Sequence, residues 1–223
     1  MDNKETPVLL LTGYLGSGKT TLLNRILRNE KGIKFAVIVN DIGEVNIDAN
    51  LIEQGGIVGQ SDDSLVALQN GCICCTLKAD LVKQLNAIIN TGKFDYIVIE
   101  ASGICEPAPI AQTISTYPQM IPEKMLKNGK ARLDAIVTVV DALRMRDEFG
   151  LGDALQPQDI GEEDLASLVI QQIEFCNIIL LNKASEISPE DLKHLKAVIK
   201  AIQPKAAIYE CDYGDVSFDK ILN

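Results

Sequence analysis

Six short runs of consecutive apolar residues recur along the chain: Val8–Leu11, Phe35–Val39, Tyr96–Ile99, Ile136–Val140, Ile178–Leu181 and Ala206–Tyr209. They are continuous where a half-exposed strand would alternate, which is how strands covered on both faces read. Stripes at helical spacing lie between them. Leu22, Leu23, Ile26 and Leu27 form one, and Leu77, Leu81, Leu85, Ile88 and Ile89 form another. Pro107 suits the first turn of a helix running towards Tyr117, and Asp164–Phe175 reads as helix. Ser188-Pro189-Glu190 opens a further one with cap, proline and acid in order. Strands alternating with helices predict an α/β fold of three layers with a mostly parallel, doubly wound sheet. Ile42–Asn70 and Leu143–Gly161 interrupt the alternation, being weakly patterned and long for connections. The first reads as a switch-like excursion, and the second has no assigned role.

Polar residues collect after the strands, on the side where open α/β sheets bind ligands. Val8–Leu11 leads into Gly13-Tyr14-Leu15-Gly16-Ser17-Gly18-Lys19-Thr20, which fits Gly-x-x-x-x-Gly-Lys-Ser/Thr between a strand and a helix. Glycines let backbone N–H groups turn inward on an anion, and the following helix adds its positive dipole end. Gly13, Gly16, Ser17, Gly18, Lys19, Thr20 and Thr21 are therefore the expected phosphate-binding residues, with Lys19 reaching the β and γ phosphates and Thr20 holding Mg²⁺. The implied ligand is a nucleoside triphosphate. Glu100 in Tyr96-Ile-Val-Ile-Glu100-Ala-Ser-Gly103 is the expected second metal carboxylate, with the Gly103 N–H set to face the γ-phosphate. Asp41, after Phe35–Val39, could approach the same ion.

Asn182-Lys183 follows the fifth run and starts like the guanine-reading Asn-Lys-x-Asp, but Ser185 stands where the aspartate belongs. A hydroxyl cannot accept from guanine N1–H and the exocyclic amine with a full charge, so guanine preference is weakened on this motif alone. Glu186, one residue later, would substitute only if the loop shifted.

The 223 residues suit one domain, and a 47% hydrophobic content can supply its core. A net charge of −10 argues against nucleic acid or an anionic membrane as partner. With no apolar run of membrane-spanning length and a polar N-terminal stretch, the expectation is a soluble cytoplasmic protein. In a reducing compartment the cluster Cys72-Ile73-Cys74-Cys75 points to metal binding or redox chemistry before a structural disulfide. Three thiols beside a helix start suit a soft or borderline ion such as Zn²⁺, Cu⁺ or Co²⁺, with a coordination position left open. Asp41 or Glu44 could close it. Cys105 reads as a small core residue before a further ligand, Cys176 and Cys211 as packing residues, and His194 as a surface residue.

The cradle, the loop Asn40-Asp41-Ile42-Gly43-Glu44-Val45, Cys72-x-Cys74-Cys75, Glu100-x-x-Gly103 and Asn182-Lys183 together resemble the CobW branch of the CobW/HypB/UreG family of P-loop GTPases, from Val8 to about Asp215. The resemblance implies a single P-loop nucleotide-binding domain over 1–223 that hydrolyses GTP to GDP. It implies a metallochaperone that carries Zn²⁺ or Co²⁺ to a client metalloprotein or the cobalamin pathway. Lys19, Asp41 and Glu100 would be catalytic, Gly103, Asn182 and Lys183 would bind nucleotide, and Thr20, Asp41 and Glu100 would hold Mg²⁺. Cys72, Cys74, Cys75 and Glu44 would take the cargo ion. The family's smaller C-terminal domain, reached through a His-rich linker, is expected to be absent here. No arginine is placed as a finger, so a partner or a nucleotide-dependent homodimer would supply that charge. A nucleotide-regulated metal sensor or buffer and an ATP-dependent small-molecule kinase are the rival readings.

Overall fold

A computed structural model of the chain describes residues 4–29, 31–39, 78–155 and 165–222. Five of the six apolar runs lie within strands and the sixth, Ala206–Tyr209, overlaps one offset by a residue: β1 (Glu5–Thr12), β2 (Phe35–Val39), β3 (Tyr96–Glu100), β4 (Lys130–Asp141), β5 (Ile178–Asn182) and β6 (Ala207–Glu210). The strands form one sheet in the order β2-β3-β1-β4-β5-β6, and every pairing is parallel. The helices are α1 (Lys19–Leu27), α2 (Lys78–Thr91), α3 (Pro107–Met120), α4 (Ala142–Phe149), α5 (Leu165–Glu174) and α6 (Pro189–Ile202). The three-layer, doubly wound α/β expectation holds.

Alternate residues of the strands feed opposite sides, and both are dry because helices cover them. On one side Val8, Leu10, Ile97 and Ile99 pack with Leu85, Ile88 of α2 and Ile110, Ile114 of α3. The same side continues over β5, where Ile179 and Leu181 meet Met145 of α4, Ile173 of α5 and Leu195, Ile199 of α6. On the other side Leu9, Leu11, Val98 and Val137 pack with Leu22, Leu23 and Ile26 of α1 and with Ile221. Cys105, Cys176 and Cys211 are buried in these cores, so all three are packing residues.

Two helix starts rest on local chemistry. Ser188 caps α6 by accepting from the Asp191 N–H (3.1 Å) ahead of Pro189. Asp141 caps α4 by accepting from the Arg144 N–H (3.0 Å), and Gly150 closes that helix in a left-handed conformation. Helix α4 is the element missing from the sequence expectation, which had no role for Leu143–Gly161. No described helix is long and apolar enough to cross a membrane.

Burial leaves three weak acids that resist ionisation. It pushes the Cys176 and Cys211 thiols up to about 11 and the Tyr117 phenol up to about 12. The Cys176 thiol also donates to the Ile173 carbonyl (3.0 Å). The folded state therefore holds these protons more tightly than the unfolded chain, whose thiols ionise first. Their contribution to stability is complete below the unfolded pKa values and is lost as pH climbs through the folded ones. Urea midpoints should fall progressively from about pH 9 towards pH 11, and Cys176→Ala should flatten that fall. A midpoint independent of pH over this range would contradict the assignment.

Candidate functional site

The site is assembled at the carboxyl ends of β1, β3, β4 and β5. Strand β1 ends at Thr12, and the chain turns through Gly13, Gly16 and Gly18, all with positive φ, into α1. At Gly18 the requirement is double: φ is 107°, and a Cβ would lie 2.4 Å from Asn182 Nδ2. Ser17 is buried within this loop, and its Oγ has no hydrogen-bond partner among the described residues. A buried orphan hydroxyl in a glycine-rich turn at the start of a helix fits donation to an anion. The Lys19 ammonium is also inside the loop, donating to the Tyr14 carbonyl (3.2 Å).

Glu100 reaches this loop through strand register. Leu11 pairs with Glu100, and the Ala101 N–H donates to the Leu11 carbonyl (2.9 Å), so β3 ends beside the cradle's entrance. The Thr20 hydroxyl donates to Glu100 Oε1 (3.1 Å), and the carboxylate is buried. A hydroxyl and a carboxylate at this spacing are the hard oxygen donors that suit Mg²⁺. Gly103 follows on the same side. A side chain there would lie 2.7 Å from the Leu15 N, so the loop after β3 can touch the cradle only because residue 103 has none. Thr21 is exposed on α1.

At the far end of the cradle, Asn182 of β5 donates from Nδ2 to the Ser17 carbonyl (2.8 Å) and accepts the Gly214 N–H at Oδ1 (3.1 Å). Its carboxamide thus ties the phosphate loop to the loop after β6. Lys183 has left-handed backbone (φ 57°), and its ammonium pairs with Asp141 at the end of β4.

Sequence reasoning passed over two positioning residues. Arg144 lies over the Tyr14 ring, 4.4 Å from its centroid, and donates to the Leu15 carbonyl (2.5 Å). Its bond to Glu148 raises its pKa further, so it braces the cradle's outer wall with a fixed charge. The Asp141 cap was the signal that could have placed it. Gln172 of α5 is buried and donates from Nε2 to the carbonyls of Gly103 (3.1 Å) and Cys105 (3.3 Å). Its own backbone carbonyl accepts from Thr138, whose hydroxyl meets Thr12 at 2.8 Å. This polar chain links α5, β4 and β1 to the loop that follows Glu100; nothing in an amphipathic helix marked it.

Asp41, Glu44, Cys72, Cys74 and Cys75 lie outside the described residues. Among the described residues no group of three His, Cys, Asp or Glu side chains could hold a metal ion.

A parallel sheet whose first strand runs into such a cradle, with a buried acid delivered by its neighbour, is the architecture of P-loop nucleotide-binding domains, and the chain is of that class. The family model of the CobW/HypB/UreG nucleotide-binding domain matches residues 7–210. The chain therefore belongs to the CobW/HypB/UreG family of P-loop GTPases. It is 39% identical over 232 residues to zinc-regulated GTPase metalloprotein activator 1 of Dictyostelium discoideum, covering 99% of this chain and 48% of that protein. It is 28% identical over 221 residues to the zinc chaperone CobW of a Sinorhizobium species, covering 95% of this chain and 60% of the relative. The chain thus spans about half the length of the first of these curated relatives. Among solved structures, a Zn(II)-bound triple mutant of the YjiA GTPase shares the fold with a TM-score of 0.64 and 26% identity, over 99% of this chain and 62% of that one.

Gln172→Leu removes the donor from two carbonyls while keeping the side chain's bulk. It should lower stability by about 1–3 kcal/mol in urea denaturation. It should also loosen triphosphate binding more than diphosphate binding, because the loop it holds contains Gly103. Unchanged stability and unchanged nucleotide affinities would contradict this role.

Proposed function

We propose that this chain is a GTP-hydrolysing metallochaperone domain that binds a transition metal, zinc before cobalt, and releases it to a client in step with its nucleotide. The observation that carries the nucleotide half is the Thr20–Glu100 contact at the mouth of the cradle (3.1 Å). It supports one Mg²⁺-binding corner built by the first turn of α1 and the end of β3. Mg²⁺ bound there would offset phosphate charge. Lys19 would hold the β and γ phosphates, Gly103 would offer its N–H to the γ-phosphate, and Asn182 would anchor the loops that flank the base. Phosphoryl transfer needs positioning and charge more than covalent help from the protein.

The metal half is supported by the relatives, two of which carry zinc in their names. In this reading Cys72, Cys74 and Cys75 take the ion as thiolates, Glu44 completes the set, and Asp41 answers to the γ-phosphate on the same stretch. Zn²⁺ is then cargo, held while triphosphate is bound and freed after hydrolysis. The client and any nucleotide-dependent homodimer belong to the delivery step, which acts in the cytoplasm.

Turnover should be slow without help. Arg25 pairs with Asp215, Arg132 with Glu5 and Asp134, Arg146 with Asp147, and Arg144 with Glu148 and the Leu15 carbonyl, so these four arginines are already held by partners within the chain. Single-turnover phosphate release from GTP is expected on the order of 10⁻⁴ s⁻¹, as for an unassisted P-loop GTPase. Lys19→Ala should abolish that release and weaken nucleotide binding about tenfold or more while sparing Zn²⁺ affinity in the nucleotide-free chain. Cys74→Ser should remove most Zn²⁺ affinity and spare Mg²⁺-GTP binding. No phosphate release under any condition, or Zn²⁺ affinity untouched by Cys74→Ser, would contradict the proposal.

A further inference from the structure

We propose that Asp212 reads the guanine base, replacing the aspartate that Asn-Lys-x-Asp would put at position 185; the assignment rests on the reading of GTP as ligand. Ser185 occupies the motif's fourth position, in the short turn Ala184–Glu186 directly after β5. Its backbone N–H (3.1 Å) and its hydroxyl (3.0 Å) both donate to Asp212 Oδ1. A carboxylate therefore stands within hydrogen-bond distance of the residue that should have carried one. It arrives from the loop after β6 instead of the loop after β5.

That loop is pinned on both sides of Asp212. Before it, the Cys211 N–H donates to the Leu181 carbonyl (3.0 Å), and the Cys211 carbonyl accepts the Ala184 N–H (3.2 Å). After it, Tyr213 and Gly214 both take left-handed backbone, and the turn they make delivers the Gly214 N–H to Asn182 Oδ1 (3.1 Å). Asn182 is the motif's own first residue, so the loop that carries Asp212 is held against the motif at its first position through Gly214 and at its fourth through Asp212 itself. Asp212 is half-buried. The nearest cation in the motif, Lys183, is paired with Asp141. Glu186, the other acid nearby, is exposed, and the bonds that hold it run through its backbone to Lys183 and Arg146.

The chemistry fits guanine and rejects adenine. Guanine offers N1–H and the exocyclic amine as neighbouring donors, and an ionised carboxylate accepts both with charge-assisted strength. Adenine presents the N1 lone pair at that edge, which a carboxylate repels. The two Ser185 bonds use one oxygen, so Oδ2 keeps its acceptor capacity. Hydroxyl and carboxylate have in effect changed places between the two loops.

The test is equilibrium binding of GTP, ATP and xanthosine triphosphate to the unmodified chain, Asp212→Asn, and the double exchange Ser185→Asp with Asp212→Ser. The unmodified chain should prefer GTP to ATP. Asp212→Asn should lose GTP affinity on the order of 100-fold. It should gain xanthosine triphosphate, because its amide N–H faces the carbonyl that xanthine has where guanine has an amine. The gain also shows that the variant is folded. The double exchange should restore GTP. Undiminished GTP binding by Asp212→Asn would overturn the assignment and leave the GTP reading standing. So would a loss of GTP with neither a gain of xanthosine triphosphate nor rescue by the exchange. Equal affinities of the unmodified chain for GTP and ATP would overturn the GTP reading and this assignment with it.

Discussion

The parallel register of β1 against β3 is the constraint on which the site depends. Because Leu11 pairs with Glu100, the acid that ends one buried strand emerges beside the cradle that ends the other. The Thr20 hydroxyl and the Glu100 carboxylate then meet at 3.1 Å although 80 residues separate them. A slip of one residue would turn Glu100 to the opposite face of the sheet and bury it among apolar side chains. The pairing is secured by the dryness of both strands, since Leu9, Leu10, Leu11, Ile97, Val98 and Ile99 are all fully buried. Hydrophobic packing in the sheet thus sets the geometry of a polar site at its edge.

Around that corner the chain uses single polar side chains as ties. Asn182 joins the cradle to the loop after β6, and Gln172 joins α5 to the loop after β3. Arg144 braces the cradle from the flank of α4. Each tie satisfies backbone groups that would be costly to bury alone. The arrangement leaves the loop after β3 supported at Gly103 and Cys105, where it touches both the cradle through Leu15 and the interior of the fold through α5.

The sheet was legible because continuous apolar runs have one economical explanation, strands covered on both faces, and each run lies in a strand or overlaps one offset by a single residue. Glu100 could be singled out as the polar end of such a run; its distance from Thr20 could not, since that depends on register. Helix α4 escaped because its sequence, Ala-Leu-Arg-Met-Arg-Asp-Glu-Phe, is half charged and has only a narrow apolar stripe; Asp141 as its cap was the available sign. Gln172 looked like any polar residue on an amphipathic helix. Asp212 had no mark at all, because its relation to Ser185 exists only once β5 and β6 are paired.

In the proposed function the phosphate corner and the thiolates of Cys72, Cys74 and Cys75 answer to one another. Linkage requires that whatever triphosphate does to metal affinity, metal does equally to triphosphate affinity, and such coupling is typically about 5- to 150-fold. The direct measurement is Zn²⁺ affinity by competition with a chromophoric chelator, in GDP and in a non-hydrolysable GTP analogue, each with Mg²⁺. Zn²⁺ should bind more tightly with the analogue by a factor in that range. The same Zn²⁺ affinity in both nucleotides would contradict it.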